Sequence, residues 1–240
     1  MDITKITRSA RKALRLKYCG AVIVAAGTAS RMGGTDKVMA QLKGEPMIQR
    51  TVREFQNCDA ISEIVIVTRE DLILPITQLC AGMDKVKAVV AGGSSRQESV
   101  GRGLNALSDK VKLCAVHDGA RPLITWQVID RVVRAANTYG AAAPGIPVKD
   151  TIKVVQGGIV KNTPDRSTLS AIQTPQVFDF DLLRGALKKA QQTGAQVTDD
   201  CSAVELMGMS VKIVEGDEHN IKVTTPMDLK IAHMLLEETQ

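Results

Sequence analysis

Three short stretches of this chain set small residues beside fixed charges, the combination that phosphate chemistry calls for. Residues 25–37, AAGTASRMGGTDK, bring Gly27, Gly33 and Gly34 together with Arg31 and Lys37. Small residues let a ligand approach the backbone, whose N–H groups cradle phosphate oxygens, and the two cations are placed to meet several phosphates. A triphosphate is the natural guest, although a surface turn with two solvated cations fits this loop equally well. The loop is neither a dinucleotide fingerprint nor a P-loop, because Gly27 is followed by Thr28 and Ala29, and Lys37 by Val38.

Residues 92–99, GGSSRQES, offer a glycine pair and short hydroxyl donors suited to a base edge or an anion. They also suit a helix start capped by Ser94 or Ser95, and the two roles are compatible. Residues 116–122, VHDGARP, end an apolar run in Asp118, with Arg121 close behind. A carboxylate facing phosphates works through a divalent cation or by orienting a hydroxyl; the plain alternative is an Asp118–Arg121 ion pair. No nucleophile has a neighbouring base, and His117, His219 and His233 are scattered and read as structural.

The elements that must position these residues alternate. Short β-branched runs predict strands over 21–26, 64–68, 87–91, 113–117 and 141–144. Helical patterns over 46–57, 71–81, 96–107 and 125–138 lie between them, the last capped by Thr125. This is the rhythm of β-α-β units around a largely parallel sheet, which binds ligands at the carboxyl ends of its strands. After Pro147, TIKVV and IVKNT flank Gln156-Gly157-Gly158 and predict a β-hairpin that projects as an arm. Helices over 181–193 and 200–207, a strand over 211–215 and a closing helix from Pro226 follow. Without repeats or a long linker, residues 21–240 read as a single domain with an arm inserted at about 150–168.

Composition narrows the function. With 240 residues, 44% hydrophobic and 24% charged, the chain is an ordinary globular protein. Aromatic residues are only 2%, too few for base-stacking platforms. The net charge of +5 is concentrated in residues 1–20, which hold six basic residues and one acid, so the body is neutral. No nucleic-acid partner is indicated, and residues 1–20 read as a mobile basic N-terminal arm. Five cysteines without a C-x-x-C pair argue against a disulfide framework or zinc site and fit a reducing cytoplasm. The longest nearly apolar stretch, 19–29, is too short to cross a membrane, and no secretory signal is evident.

The segments AAGTASRM, GGSSRQESV, HDGARP, PVKDT, DRSTLSAIQTPQ, TDD and HNIKVTTPMDL follow in this order. With them the chain from residue 21 onward resembles the 2-C-methyl-D-erythritol 4-phosphate cytidylyltransferases. The resemblance implies an α/β, Rossmann-like nucleotidyltransferase fold, a mostly parallel twisted sheet flanked by helices with a β-hairpin arm. It implies transfer of CMP from CTP to 2-C-methyl-D-erythritol 4-phosphate in non-mevalonate isoprenoid precursor biosynthesis. The products are 4-(cytidine 5′-diphospho)-2-C-methyl-D-erythritol and pyrophosphate, and the cofactor is Mg²⁺ or Mn²⁺.

By the same resemblance, Arg31 and Lys37 contact the triphosphate and stabilise the transition state. Ala25, Ala26, Gly27, Gly93 and Ser99 hold CTP, the last two by enclosing the cytosine. Asp118, Arg121, Thr151, Arg166, Thr174 and Lys222 surround the two substrates, with Arg166 and Lys222 positioning the acceptor phosphate. Asp118 orients the acceptor or stands near a metal that the CTP phosphates mainly hold. The arm crosses a two-fold homodimer, so that Thr151 and Arg166 complete the partner's site. Asp199 and Asp200 are accounted for by the dipole of the helix they precede and stay outside the site. The family often has Pro where this chain has Asp36, a carboxylate that lowers the effective charge of Lys37 toward CTP. Ribitol-5-phosphate cytidylyltransferase is the alternative; the AAG start, PVKDT and DR-x-x-L-x-x-x-QTPQ favour methylerythritol phosphate.

Overall fold

Alternating apolar runs and amphipathic helices produce the expected elements in order, with four short strands, Gln41–Leu42, Glu45–Pro46, Ser170–Ile172 and Gln176–Asp179, added to them. The chain passes through β1 (Cys19–Val24), a 3-10 turn at Lys37–Met39, β2 (Gln41–Leu42), β3 (Glu45–Pro46) and α1 (Met47–Asn57). It continues through β4 (Glu63–Thr68), α2 (Ile73–Leu79), β5 (Val86–Ala91), α3 (Arg96–Asn105), β6 (Leu113–Asp118), α4 (Trp126–Tyr139) and β7 (Ala141–Pro147). The hairpin of β8 (Val154–Gln156) and β9 (Ile159–Asn162) precedes β10 (Ser170–Ile172), β11 (Gln176–Asp179) and α5 (Phe180–Thr193). Then come α6 (Asp200–Glu205), β12 (Lys212–Glu215) and α7 (Pro226–Glu238). This computed structural model describes residues 16–27 and 37–238, the side chain of Lys37 excepted. Residues 1–15 of the expected basic arm, Arg31 and Asp36 lie outside the described residues.

Strand β1 pairs in parallel with β4 on one side and β6 on the other, and β5 extends the sheet beyond β4. Strand β11 inserts between β6 and β7, antiparallel to both, so β7 runs parallel to β6. Strand β10 continues antiparallel along β7, and β12 occupies the opposite edge, since Ala142 pairs with both Val177 and Lys212.

Side chains alternate across each strand, and both faces are covered. Ala21, Ile23, Ile64, Ile66 and Leu113 pack with Val52 and Phe55 of α1 and Ile129 and Val133 of α4. Val22, Val65, Val67 and Val116 point the other way, onto Val100 and Leu104 of α3 and Leu183 and Leu187 of α5. Burial on both faces is why these strands read as unbroken apolar runs. A Cβ on Gly103 would lie 2.4 Å from Val22 Cγ1 and 2.8 Å from Val67 Cγ2, so this glycine lets α3 approach the sheet.

The structure corrects several expectations. Strand β1 starts at Cys19, and the amide of Lys17 donates to Asn137 Oδ1 at 3.1 Å, so residues 16–20 belong to the body. Thr125 holds the N-cap position of α4 without a side-chain cap hydrogen bond. The helix expected over 71–81 splits into a 3-10 turn at Glu70–Leu72 and the shorter α2. Pro75 has no N–H to donate and is tolerated only in a helix's first turn, which places that turn at Ile73. The hairpin forms as expected: Gly157 (φ +58°) and Gly158 (φ +77°) supply the left-handed turn, and residues 151–163 are all exposed.

Candidate active site

The carboxyl ends of the parallel strands converge on a cavity of about 560 Å³. Ala25, Ala26 and Gly27 line it beyond β1, Gly93, Ser94, Ser95, Arg96 and Ser99 beyond β5, and Asp118 and Lys222 close the far wall. Seven expected residues, Ala25, Ala26, Gly27, Gly93, Ser99, Asp118 and Lys222, thus meet at one place.

The turn after β5 is fixed by its own hydroxyls. Ser95 is the cap of α3, accepting from Glu98 N–H at 3.0 Å. Ser99 accepts from the Gly93 N–H at 3.0 Å and donates to the Ser95 carbonyl at 2.8 Å. These bonds hold the glycine turn rigid before any ligand arrives. A Cβ on Gly92 would stand 2.4 Å from Ala26 Cβ, so only glycine lets this turn lie against the loop after β1.

Fixed charges are gathered around Asp118, one of them from Arg96 at the start of α3. The Val223 N–H donates to the Ala120 carbonyl at 2.8 Å, which brings the 220–223 segment alongside the end of β6. Val223 also packs with Leu42, Met47 and Leu236, so α7 and the β2–β3 ladder support the same segment. Lys222 Nζ consequently stands 2.7 Å from Asp118 Oδ2, and Arg96 Nη2 lies 3.5 Å from Asp118 Oδ1. Burial works to raise the pKa of Asp118, but Lys222 and then Arg96 bring it down to about 2. The carboxylate is therefore ionised at any physiological pH.

Arg96 is anchored from behind. Its Nη2 lies 2.8 Å from Oδ2 of Asp200, whose side chain is 1% exposed. Asp199 caps α6, accepting from Ser202 N–H at 2.9 Å, while Gln176 Oε1 accepts from the N–H groups of Asp200 and Cys201 at 3.1 and 3.0 Å. Helix-dipole complementation accounts for Asp199 but not for Asp200, which is the counter-charge of a cavity arginine. Sequence reasoning missed both Arg96 and Asp200. The available signal was the repetition of acid in Thr198-Asp199-Asp200, since a cap needs only one.

Thr174 and Arg121 sit behind Asp118 rather than on the cavity lining. Arg121 O can only accept, so the Nε2 of His117, 3.3 Å away, carries the proton. Nδ1 then accepts from the Thr174 hydroxyl at 3.0 Å, and Thr174 Oγ1 accepts from the Asp118 N–H at 3.1 Å. This chain of bonds holds the backbone of Asp118, and burial keeps His117 neutral with a pKa of about 3. Arg121 Nη1 donates to Asn220 O at 2.6 Å; the ion pairs of Asp118 among the described residues go to Lys222 and Arg96 instead.

Thr151 and Arg166 do not line the cavity of the single chain. Thr151 is exposed in the arm, and Arg166 Nη1 donates to Lys149 O at 2.6 Å from an exposed position. Lys37 opens the 3-10 turn that leads to the lining residue Val38. Among the described residues no group of three or more His, Cys, Asp or Glu gathers to ligate a metal. Asp118 is the carboxylate that lines the cavity among the described residues.

Seen against known proteins, this chain matches the sequence profile of 2-C-methyl-D-erythritol 4-phosphate cytidylyltransferase over residues 19–238. The chain belongs to that family. It is therefore an enzyme of the nucleotidyltransferase class. It is 45% identical over 219 residues to the 2-C-methyl-D-erythritol 4-phosphate cytidylyltransferase of Symbiobacterium thermophilum, covering 90% of this chain and 92% of that protein. The protein of that name from Geobacillus kaustophilus is 44% identical, over 90% of this chain and 96% of its own length. Among solved structures, 4-diphosphocytidyl-2C-methyl-D-erythritol synthase from Anaerococcus prevotii superposes with a TM-score of 0.85 at 29% identity, covering 94% and 99% of the two chains. The Thermus thermophilus cytidylyltransferase gives 0.76 at 32% identity, covering 90% and 98%. The cytidylyltransferase fold expected from the sequence is the fold found.

Proposed function

We propose that this chain transfers the cytidylyl group of CTP to 2-C-methyl-D-erythritol 4-phosphate, releasing pyrophosphate. The observation that carries the proposal is the cavity in which Ala25–Gly27 and the rigid Gly93 turn face Asp118, Lys222 and Arg96, in a chain of this family. An acceptor phosphate oxygen attacks the α-phosphorus of CTP. A new P–O bond forms, the bond to the oxygen bridging to the β-phosphate breaks, and pyrophosphate leaves with the electron pair.

The chain's part is positioning and charge. Two anions brought to about 4 Å repel by roughly 4 kcal/mol at an effective dielectric of about 20. Lys222, Arg96, Lys37 and Arg31 offset that repulsion with fixed cations, which act most strongly where charge develops at phosphorus. The glycine turn with Ser99 bounds the base, and Asp118 holds Lys222 at the acceptor side. Thr174 and Arg121 support Asp118 and the 220–223 segment from behind.

Mg²⁺, or Mn²⁺, suits this site as an ion held chiefly by CTP phosphates, because among the described residues Asp118 is the one carboxylate lining the cavity, too few for an all-protein cage. When bound it would supply Lewis-acid neutralisation of the triphosphate. The exposed apolar residues of the arm, Val154, Val155, Ile159 and Val160, support a homodimer in which each arm brings Thr151 and Arg166 to the partner's cavity. Five free, buried cysteines support residence in a reducing cytoplasm.

Product identity tests the proposal. With CTP, Mg²⁺ and methylerythritol phosphate, mass spectrometry should find the cytidine diphosphate conjugate and an equimolar amount of pyrophosphate. Pyrophosphate without the conjugate, or neither, overturns it.

A further inference from the structure

The pairing of Arg96 with Asp200 joins the cavity wall to a helix that contributes no lining residue of its own. Asp200 begins α6, and that end of the helix is pinned to the sheet by Gln176 of β11, which caps two of its amides and donates to Asp199 Oδ2 at 2.7 Å. Asp200 cannot follow Arg96 if the arginine moves. Nor can water replace its partner, since the side chain is 1% exposed and an uncompensated buried charge is costly.

Arg96 answers to two carboxylates through one nitrogen, 2.8 Å from Asp200 and 3.5 Å from Asp118. Its hydrogen bond and ion pairs to described residues run through Nη2, and the residue itself lines the cavity. A free arginine side chain samples many rotamers, and immobilising it on binding costs affinity. Released from Asp200, the guanidinium would also close onto Asp118 and compete with Lys222 for that carboxylate.

We propose that Asp200 is a positioning residue that holds Arg96 in its binding orientation and keeps it from collapsing onto Asp118. The proposal rests on the reading of this cavity as the CTP site. It differs from a plain electrostatic role in sign. Removing a negative charge near a polyanion's site should tighten CTP binding if Asp200 acts only through its field. It should weaken binding if Asp200 acts by orienting Arg96.

The test is CTP affinity by calorimetry, with the KM for CTP and kcat, for the wild-type protein, Asp200→Asn, Arg96→Ala and the double variant, each checked by thermal melting. The expected result is a loss of about ten- to a hundredfold in CTP affinity for Asp200→Asn, the equivalent of one charge-assisted hydrogen bond. The KM should rise by more than kcat falls, and the double variant should bind no worse than Arg96→Ala alone. Asp200→Glu keeps the charge but displaces the carboxylate, and serves if the asparagine variant does not fold; it too should weaken CTP binding. Unchanged or tighter binding, or additive losses in the double variant, would overturn the role of Asp200. Failure of the wild-type protein to bind CTP would instead overturn the reading of the cavity.

Discussion

Lys222 Nζ stands 2.7 Å from Asp118 Oδ2, and the pair is set by a backbone bond beside it, from Val223 N–H to the Ala120 carbonyl at 2.8 Å. The cation is thus delivered to the end of β6 by the fold of the 220–223 segment. Its side chain is 44% exposed, so it can also reach a ligand. Replacing Lys222 by Met keeps much of the stem and removes the charge. The expected loss in kcat/KM is about a hundredfold or more, on the order of 3 kcal/mol of transition-state stabilisation. Steady-state kinetics with both substrates varied would check it, and a loss below about threefold would contradict the role.

His117 links acid stability to the site. Burial holds it neutral in the folded protein with a pKa of about 3, against an ordinary value of 6.5. Between those values the unfolded chain binds a proton that the folded protein refuses. Stability from this group is therefore full above 6.5 and is lost as pH falls toward 3. The slope it contributes reaches about 1.4 kcal/mol per pH unit. His117→Asn should lower stability at neutral pH by roughly 1–3 kcal/mol through its lost bonds. It should also flatten the pH dependence across that window. Urea denaturation at several pH values measures both; an undiminished slope would place the titrating group elsewhere.

Gly103 is where helix and sheet come closest. An added methyl would meet Val22 at 2.4 Å and Val67 at 2.8 Å. Gly103→Ala should destabilise the protein by about 1–3 kcal/mol, because a close-packed core resists the extra carbon more than the helix gains in propensity. A raised melting temperature would show that α3 shifts freely.

Much of this architecture was legible as a sequence because parallel strands buried on both faces leave continuous β-branched runs. The glycine pair marked the hairpin for an equally local reason. Strands β10 and β11 were not foreseen: they are short, separated by Pro175, and exist only because β6 and β7 offer edges to pair with. The loops after β1, β5 and β6 followed from position at strand ends, and the family resemblance supplied the individual cavity residues within them and Lys222. Arg96 and Asp200 did not, since their pairing spans 104 positions and no local pattern announces it. Thr174 and Arg121 belong to the site's support because the Thr174 hydroxyl bonds His117 and the Asp118 N–H, and Arg121 Nη1 bonds Asn220 O, contacts that depend on three-dimensional neighbours.

The proposed arm exchange has a mixing signature. Arg166→Ala damages the arm and Lys37→Ala the body, so a heterodimer would carry one undamaged composite site. A statistical mixture should recover about a quarter of the wild-type specific activity if the arm completes the partner's site. Verified heterodimers with no recovery would contradict the exchange.

The most direct measurement is pyrophosphate release from CTP and Mg²⁺ with methylerythritol 4-phosphate and ribitol 5-phosphate run side by side. The account predicts release with methylerythritol phosphate and little with ribitol phosphate. Release with ribitol phosphate alone would contradict the proposed acceptor while leaving the fold and the CTP cavity in place.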